Sequence, residues 1–213
     1  MIQLGSAFGF PVAVDFTALL VLALLTLQGS RDGTEGLVRG LLYALTVFGS
    51  ILVHELGHAL LARRYRLFPI SITLHGFGGL TAHAHTKTAR QGLFVSFAGP
   101  LAGLALGAVG GILMLAATPI GNSELTSWVF QLTAINIFWS LFNLVPMYPL
   151  DGGWILFHLL SMKKPPPWAL RTTAYVSIVM AAGVVWFAWQ SGMVFLGIVA
   201  ALSLMRALQI LGR

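Results

Sequence analysis

Three ionisable residues lie inside a long apolar segment of this chain. They are His54, Glu55 and His58, and every other residue from Gly40 to Ala62 is uncharged. Inserting an acidic or basic residue at the centre of a membrane helix costs about 2.5–3.5 kcal/mol, so such residues usually have a function. Because two histidines four positions apart share a helix face, they can bind one metal ion. The His-Glu-x-x-His order therefore predicts metal-assisted hydrolysis.

Glu55 projects near the two histidines but not along the same line of the helix. This placement favours a general base, which takes a proton from a water activated by the metal and passes it to the leaving amine. The alternative is a structural glutamate paired with two buried neutral histidines. Inside an uncharged span that arrangement would need a strong structural reason, so we favour the metal site.

The composition is typical of a membrane protein. Of 213 residues, 57% are hydrophobic and 8% are charged, against roughly 25% charged in soluble domains. Cysteine is absent, which excludes disulfides and thiolate ligands. We predict an all-α polytopic membrane protein with about six transmembrane helices and a small membrane-associated β-hairpin. The candidate spans are 14–28, 40–62, 92–117, 125–147, 172–190 and 193–211.

Basic residues are distributed unevenly between the two sides of these spans. Only Arg31 and Arg39 fall on one side, and the positive-inside rule places the richer side in the cytoplasm of a multi-pass cell-membrane protein. Both termini are then cytoplasmic. Because topology accounts for the net charge of +6, we expect the lipid bilayer and no nucleic acid as a partner. The richer side holds Arg63, Arg64, Arg66, Lys87, Arg90, Lys163, Lys164, Arg171, Arg206 and Arg213.

A third protein ligand, leaving one open position, would complete a catalytic site of this type. Among the six acidic residues, Asp151 follows the fourth span at the depth of the histidines. Pro146 and Pro149 break the helix before it, and Gly152-Gly153 gives a flexible exit, so its carboxylate could turn inward. Alternatively, Asp151 caps a helix that starts at Trp154, and both roles could coexist. The other acids begin the first span or lie on the far side: Asp15, Asp32, Glu35 and Glu124.

Asn136, Ser140 and Asn143 form one polar stripe on the fourth span. For Asn136 and Ser140 we favour hydrogen bonding between helices. For Asn143, one turn before the proline break, we favour contact with the substrate carbonyl or its oxyanion.

Alternating residues between 68 and 85, on either side of Gly76-Phe77-Gly78-Gly79, predict a β-hairpin that leans on the active site or the interface. A second extended piece is expected at Gly5–Val14. Glycines every fourth residue from Gly99 to Gly111 favour close helix packing. His83 and His85 share a face of the predicted strand and could bind metal, but we favour a surface or interfacial role for them. His158 is expected to be structural, and His75 is assigned no role.

In combination these motifs resemble the site-2 protease family of intramembrane zinc metalloproteases. The matching pieces are His54-Glu55-Leu56-Gly57-His58, Gly76-Phe77-Gly78-Gly79, Phe97-Ala98-Gly99-Pro100 and Asn143 through Gly153, in family order over about 40–160. The resemblance implies one zinc ion per chain on His54, His58 and Asp151, Glu55 as general base and acid, and Asn143 as a substrate-positioning residue.

The resemblance also implies cleavage within or near the transmembrane helix of single-span membrane proteins. Many relatives carry a PDZ or CBS module, whereas we expect residues 1–213 to form a single membrane-embedded peptidase domain without either. One alternative is a membrane metalloprotease for prenylated or soluble peptides, which usually takes its third ligand from a glutamate on a later helix. A second is a non-catalytic metal-binding protein or transporter on the same scaffold. The sequence does not indicate the oligomeric state.

Overall fold

The computed structural model describes residues 1–28 and 33–212. Three residues used in the predictions of topology and of the third ligand lie outside this part of the chain: Arg31, Asp32 and Arg213. The elements in chain order are β1 (Ile2–Ala7), β2 (Phe10–Val14), α1 (Phe16–Leu27), α2 (Gly33–Arg64), β3 (Ser71–His75), β4 (Gly78–Ala82), α3 (Ala89–Ala117), a 3₁₀ turn (Thr118–Ile120), α4 (Ser123–Asn143), α5 (Asp151–Ser161), α6 (Pro166–Ser191) and α7 (Val194–Leu211).

Five of the described helices, α2, α3, α4, α6 and α7, are long and apolar enough to cross a membrane. They confirm five of the six predicted spans. The remaining predicted span, 14–28, contains α1, which is apolar but has only 12 residues. A helix of that length measures about 18 Å, which is shorter than the hydrocarbon core of about 30 Å. Helix α1 begins at a capped turn, because Asp15 Oδ1 accepts hydrogen bonds from the Ala18 amide at 3.0 Å and the Thr17 hydroxyl at 2.6 Å.

The strands form one four-stranded sheet in the order β1-β2-β3-β4. The predicted hairpin is confirmed as β3 and β4, whose pairing of His75 with Gly78 leaves only Gly76 and Phe77 in the turn. Because β4 ends at Ala82, the prediction that His83 and His85 share a strand face was wrong. The second extended piece forms β1 and β2, and β2 pairs in parallel with β3.

The chain divides into two compact units. The first comprises Met1–His85 and Ala98–Ser140, and the second comprises Thr86–Phe97 and Leu141–Arg213. In the first unit, β3 and β4 pack against α2, and β3 also contacts α1. In the second, α6 packs against both α5 and α7, with Met147, Ala181, Val199 and Ala200 in its apolar core.

Glycines bring α3 and α4 close together in the first unit. A β-carbon added to Gly103 would overlap the Ser140 hydroxyl, and one added to Gly107 would lie 2.9 Å from Ile137 Cγ1. Gly111 has open space where its β-carbon would stand. The predicted packing ridge therefore holds at Gly103 and Gly107 but not at Gly111.

Polar side chains join α2 to α4 in the same unit. Asn136 Nδ2 donates to Ser50 Oγ at 2.9 Å, and Trp128 Nε1 donates to Thr46 Oγ1 at 2.9 Å. These contacts confirm the interhelical hydrogen bonding predicted for Asn136. The same prediction was wrong for Ser140, whose buried hydroxyl has no hydrogen-bond partner among the described residues. The Asn136 and Trp128 contacts also fix the rotation of α2, the helix that carries the histidine pair.

Candidate metal centre

The two histidines of α2 present facing ring nitrogens. His54 Nε2 and His58 Nε2 are 3.2 Å apart, and the side chains are only 3% and 7% exposed. A tetrahedral zinc ion with Zn–N bonds of about 2.0–2.1 Å places two ligand nitrogens about 3.4 Å apart. The pair therefore has the spacing that chelation of one ion requires. The two nitrogens lie this close because the histidines are four residues apart on a regular helix, as the sequence predicted.

Two glycines allow the helix backbones to meet beside these histidines. A β-carbon on Gly99 of α3 would overlap the imidazole rings of both His54 and His58. A β-carbon on Gly57 of α2 would overlap the main-chain carbonyl of Ala98. The glycine repeat in the sequence predicted only a general packing role for Gly99. The structure shows a more specific one, because this glycine makes room for the rings themselves.

Glu55 is held by β4, the edge strand of the sheet. The residue is 5% exposed, and its Oε2 accepts a hydrogen bond from the Thr81 hydroxyl at 2.7 Å. The same hydroxyl lies 3.0 Å from the Glu55 main-chain oxygen. A β-carbon on Gly79 would overlap the Glu55 side chain. Alternation in the sequence predicted a hairpin that leans on the active site or the interface, but no pattern in it assigned a role to Thr81 or Gly79.

Asp151 is the first residue of α5, in the second unit. The N-cap position belongs to Leu150, which makes no side-chain capping hydrogen bond, so the alternative prediction of Asp151 as the N-cap was wrong. A carboxylate in the first helical turn is nevertheless favoured by the helix dipole. The expected helix from Trp154 begins three residues earlier, at Asp151 itself.

Gly152 and Gly153 serve close packing rather than a flexible exit. A β-carbon on Gly152 would overlap the carbonyl oxygens of Leu144 and Val145, and one on Gly153 would lie 2.8 Å from the Met147 carbonyl carbon. The loop before Asp151 is also anchored, because the Tyr148 amide donates to Ser177 Oγ at 3.0 Å. The start of α5 is thus fixed against its own loop.

The residues that could hold a metal ion are His54 and His58 in the first unit and Asp151 in the second. Two imidazoles and a carboxylate match a donor set that zinc uses in catalytic sites. These are the three ligands that the resemblance implied.

Asn143 is the last residue of α4, which ends three residues before Pro146. The structure thus confirms the predicted helix break, although α4 stops short of the expected end at 147. Asn143 is buried. Its contact with a substrate carbonyl stays a prediction.

The other histidines take positions outside this group. His75 closes the β3–β4 turn opposite Gly78, and His83 Nδ1 lies 2.7 Å from the Ala84 carbonyl oxygen. His158 is on α5, as expected, with its ring 5.0 Å from that of Phe157. A β-carbon on Gly92 would overlap the His158 ring.

Comparison with known proteins agrees with this geometry. The sequence profile of peptidase family M50 matches residues 105–187. The putative zinc metalloprotease Rip3 of Mycobacterium tuberculosis is 37% identical over 163 residues, covering 71% of this chain and 42% of Rip3. The putative zinc metalloprotease sll0528 of Synechocystis is 36% identical over 169 residues, covering 73% of this chain and 43% of that protein.

A solved structure extends the similarity to nearly the whole chain. The site-2 protease from Methanocaldococcus jannaschii superimposes with a TM-score of 0.70 at 25% identity, covering 98% of this chain and 94% of that one. The chain spans less than half the length of the curated relatives named above. The matched profile, the relatives and the shared fold all show similarity to peptidase family M50, the site-2 protease family.

Proposed function

We propose that this protein is an intramembrane zinc metalloprotease. The observation that carries the proposal is the buried pair His54 and His58, whose facing nitrogens are 3.2 Å apart. Glu55 follows His54 directly in the sequence, on a helix that is long and apolar enough to cross a membrane. Buried ionisable groups in a membrane helix are costly and are retained for function. The names of the relatives support zinc as the metal.

Three side chains hold the metal and two others act on the reactants. His54, His58 and Asp151 are the ligands of one zinc ion per chain. When bound, zinc supplies Lewis acidity that polarises the scissile carbonyl and acidifies water. Glu55 accepts the proton of the attacking water and delivers it to the leaving amine. Asn143 donates a hydrogen bond to the substrate carbonyl and to the oxyanion that develops from it.

The substrate class follows from the position of the site in the bilayer. We propose that the substrates are single-span membrane proteins, cut within or near their transmembrane helix. A helical peptide carbonyl is already hydrogen-bonded, so the substrate must open before it is attacked. The outer edge of β4 pairs with no other strand in the described part of the chain, and an opened segment could add there as a further strand.

Topology and domain organisation complete the proposal. We propose a multi-pass protein of the cell membrane, oriented by the concentration of basic residues on one side of the spans. Both termini lie in the cytoplasm only when the number of crossings is even, so we propose that the short helix α1 completes a sixth crossing beside the five long helices. Residues 1–213 act as one peptidase domain, whose catalytic core is about 40–160. The site then lies within the membrane, nearer its cytoplasmic face.

The test is cleavage in a defined membrane. The purified chain, reconstituted in liposomes with designed single-span substrates, should cut within or near the span, and mass spectrometry of the products would locate the bond. A zinc chelator should abolish cleavage, and added zinc should restore it. A metal-binding protein or transporter without catalytic activity would bind zinc equally well and yield no product.

A further inference from the structure

Thr81 of β4 contacts Glu55, the proposed general base, but has no role in the mechanism proposed so far. Its hydroxyl lies 2.7 Å from Glu55 Oε2 and 3.0 Å from the Glu55 main-chain oxygen. An ionised carboxylate can only accept hydrogen bonds, so Thr81 is the donor. We propose that Thr81 is a positioning residue that fixes the carboxylate of Glu55 in the orientation required for proton transfer. This inference rests on the proposed function, in which Glu55 is the general base.

A steric contact on the same strand supports this assignment. Gly79 and Thr81 are two positions apart, so they share a face of β4. A β-carbon on Gly79 would overlap Cγ and Cδ of Glu55, which means that the glutamate side chain lies directly against the strand backbone. The strand therefore provides a flat wall at Gly79 and a hydrogen-bond donor at Thr81. Together these two features restrict both the position and the rotation of the carboxylate.

The chemistry explains why this restriction matters. A carboxylate has about four lone-pair sites, and the Thr81 hydroxyl occupies one of them on Oε2. The other oxygen stays available to accept the proton of the attacking water. A general base acts only within hydrogen-bond reach of that proton, and small errors in placement reduce the rate steeply. Without the hydroxyl, the flexible glutamate could rotate away from the reacting atoms.

The location of Thr81 also links the base to substrate binding. It lies on the strand whose outer edge we propose as the docking site for the opened substrate. One strand would then hold both the peptide and the group that activates water for its hydrolysis. A role in positioning should nevertheless appear in kcat, whereas a role in docking alone would appear in KM.

Four variants separate these roles. Thr81→Val removes the hydroxyl but keeps the β-branched shape, and Thr81→Ser keeps the hydroxyl. Gly79→Ala places a methyl group against Glu55. Thr118→Val is the matched control, because it removes the same hydroxyl from an exposed threonine outside the sheet, where that hydroxyl donates to the Met114 carbonyl oxygen at 2.8 Å. Each protein would be assayed with a designed single-span fluorescent substrate in detergent micelles, alongside zinc content and melting temperature.

Thr81→Val should lower kcat by about 10–100-fold, the loss typical when a group that orients an active-site residue is removed. Its KM and zinc content should be unchanged, Thr81→Ser should restore kcat, Gly79→Ala should lower it, and Thr118→Val should leave it unaltered. Wild-type kcat in Thr81→Val, or an equal loss in Thr81→Ser, would overturn the inference. So would a loss that appears only in KM or that follows zinc content. Failure of the wild type to cleave, or full activity of Glu55→Gln, would instead overturn the proposed function.

Discussion

Single residues of the metal centre owe their geometry to simple local causes. His54 and His58 face the same way because they are one helical turn apart, and their Nε2 atoms are 3.2 Å apart as a result. Asp151 begins α5, where the helix dipole favours a carboxylate. Each of these residues could be assigned from the sequence, because the motif and the scarcity of acids restrict the choice.

Asp151→Ala should empty the metal site. Because the residue is a ligand in this account, its loss should reduce zinc from about one ion per chain to a small fraction and abolish cleavage. Elemental analysis of the purified protein measures this directly. Glu124→Ala is the control, since Glu124 forms an exposed ion pair with Arg39 at 2.8 Å, a type of pair worth about 0–1 kcal/mol. Full zinc content in Asp151→Ala would exclude Asp151 as a ligand.

Gly99→Ala should weaken zinc binding although the change adds only one methyl group. Its β-carbon would overlap the His54 and His58 rings, so the rings or α3 must move. Zinc affinity, measured by competition with a chelator, should fall together with turnover. The same substitution at Gly111, on the same helix, should leave zinc affinity unchanged, because the added methyl group would meet no other atom there. Alanine is also a better helix former than glycine, so the variant should fold. Equal affinity in both variants would refute a tight approach at Gly99.

Secondary-structure elements position these residues, and here sequence and structure agree in part. The long apolar runs correctly predicted five spanning helices, and alternation predicted the β3–β4 hairpin. The parallel pairing of β2 with β3 was not predicted, because no local pattern links segments separated by the whole of α2. Thr81 and Gly79 were not assigned for the same reason: their partner Glu55 lies on another element.

The N-terminal cap of α1 should make stability depend on pH. The Thr17 hydroxyl, and then the Ala18 amide, hydrogen-bond Asp15 and hold the pKa of its carboxyl below the usual value. A lowered pKa in the folded state means that this contribution is present above the ordinary carboxyl pKa and is lost as pH falls through the lowered value. The melting-temperature difference between wild type and Asp15→Asn should therefore shrink in acid. A difference that stays constant from neutral to acidic pH would contradict the assignment.

The whole molecule places the candidate metal centre inside an apolar scaffold. With 57% hydrophobic and 8% charged residues, the chain presents lipid with few polar groups, and its buried ionisable residues are concentrated at the metal centre. The sequence predicted this class and the family resemblance correctly. It could not show that Gly152 serves close approach rather than flexibility, because that depends on the path of the loop before α5, whose Leu144 and Val145 carbonyls face this glycine.

At this scale the ease of opening the substrate helix should control the rate. A pair of helix-breaking residues such as Asn-Gly near the cut should speed cleavage, and Leu or Ala at the same positions should slow it, because the scissile carbonyl must first lose its helical hydrogen bond. The measurement is kcat/KM for designed spans that differ only at those positions. Equal rates across the series would show that substrate unwinding does not limit the reaction.

Zinc content and cleavage, measured together in wild type and Glu55→Gln, show whether Glu55 is the general base of a zinc protease and not a metal ligand. The amide keeps the size of the glutamate but cannot take a proton, and Glu55 is not a ligand in this account. The predicted result is a protein that binds about one zinc per chain, as the wild type does, and yields no product, a loss of at least about 100-fold. Turnover near the wild-type rate, or loss of zinc in Glu55→Gln, would contradict the account.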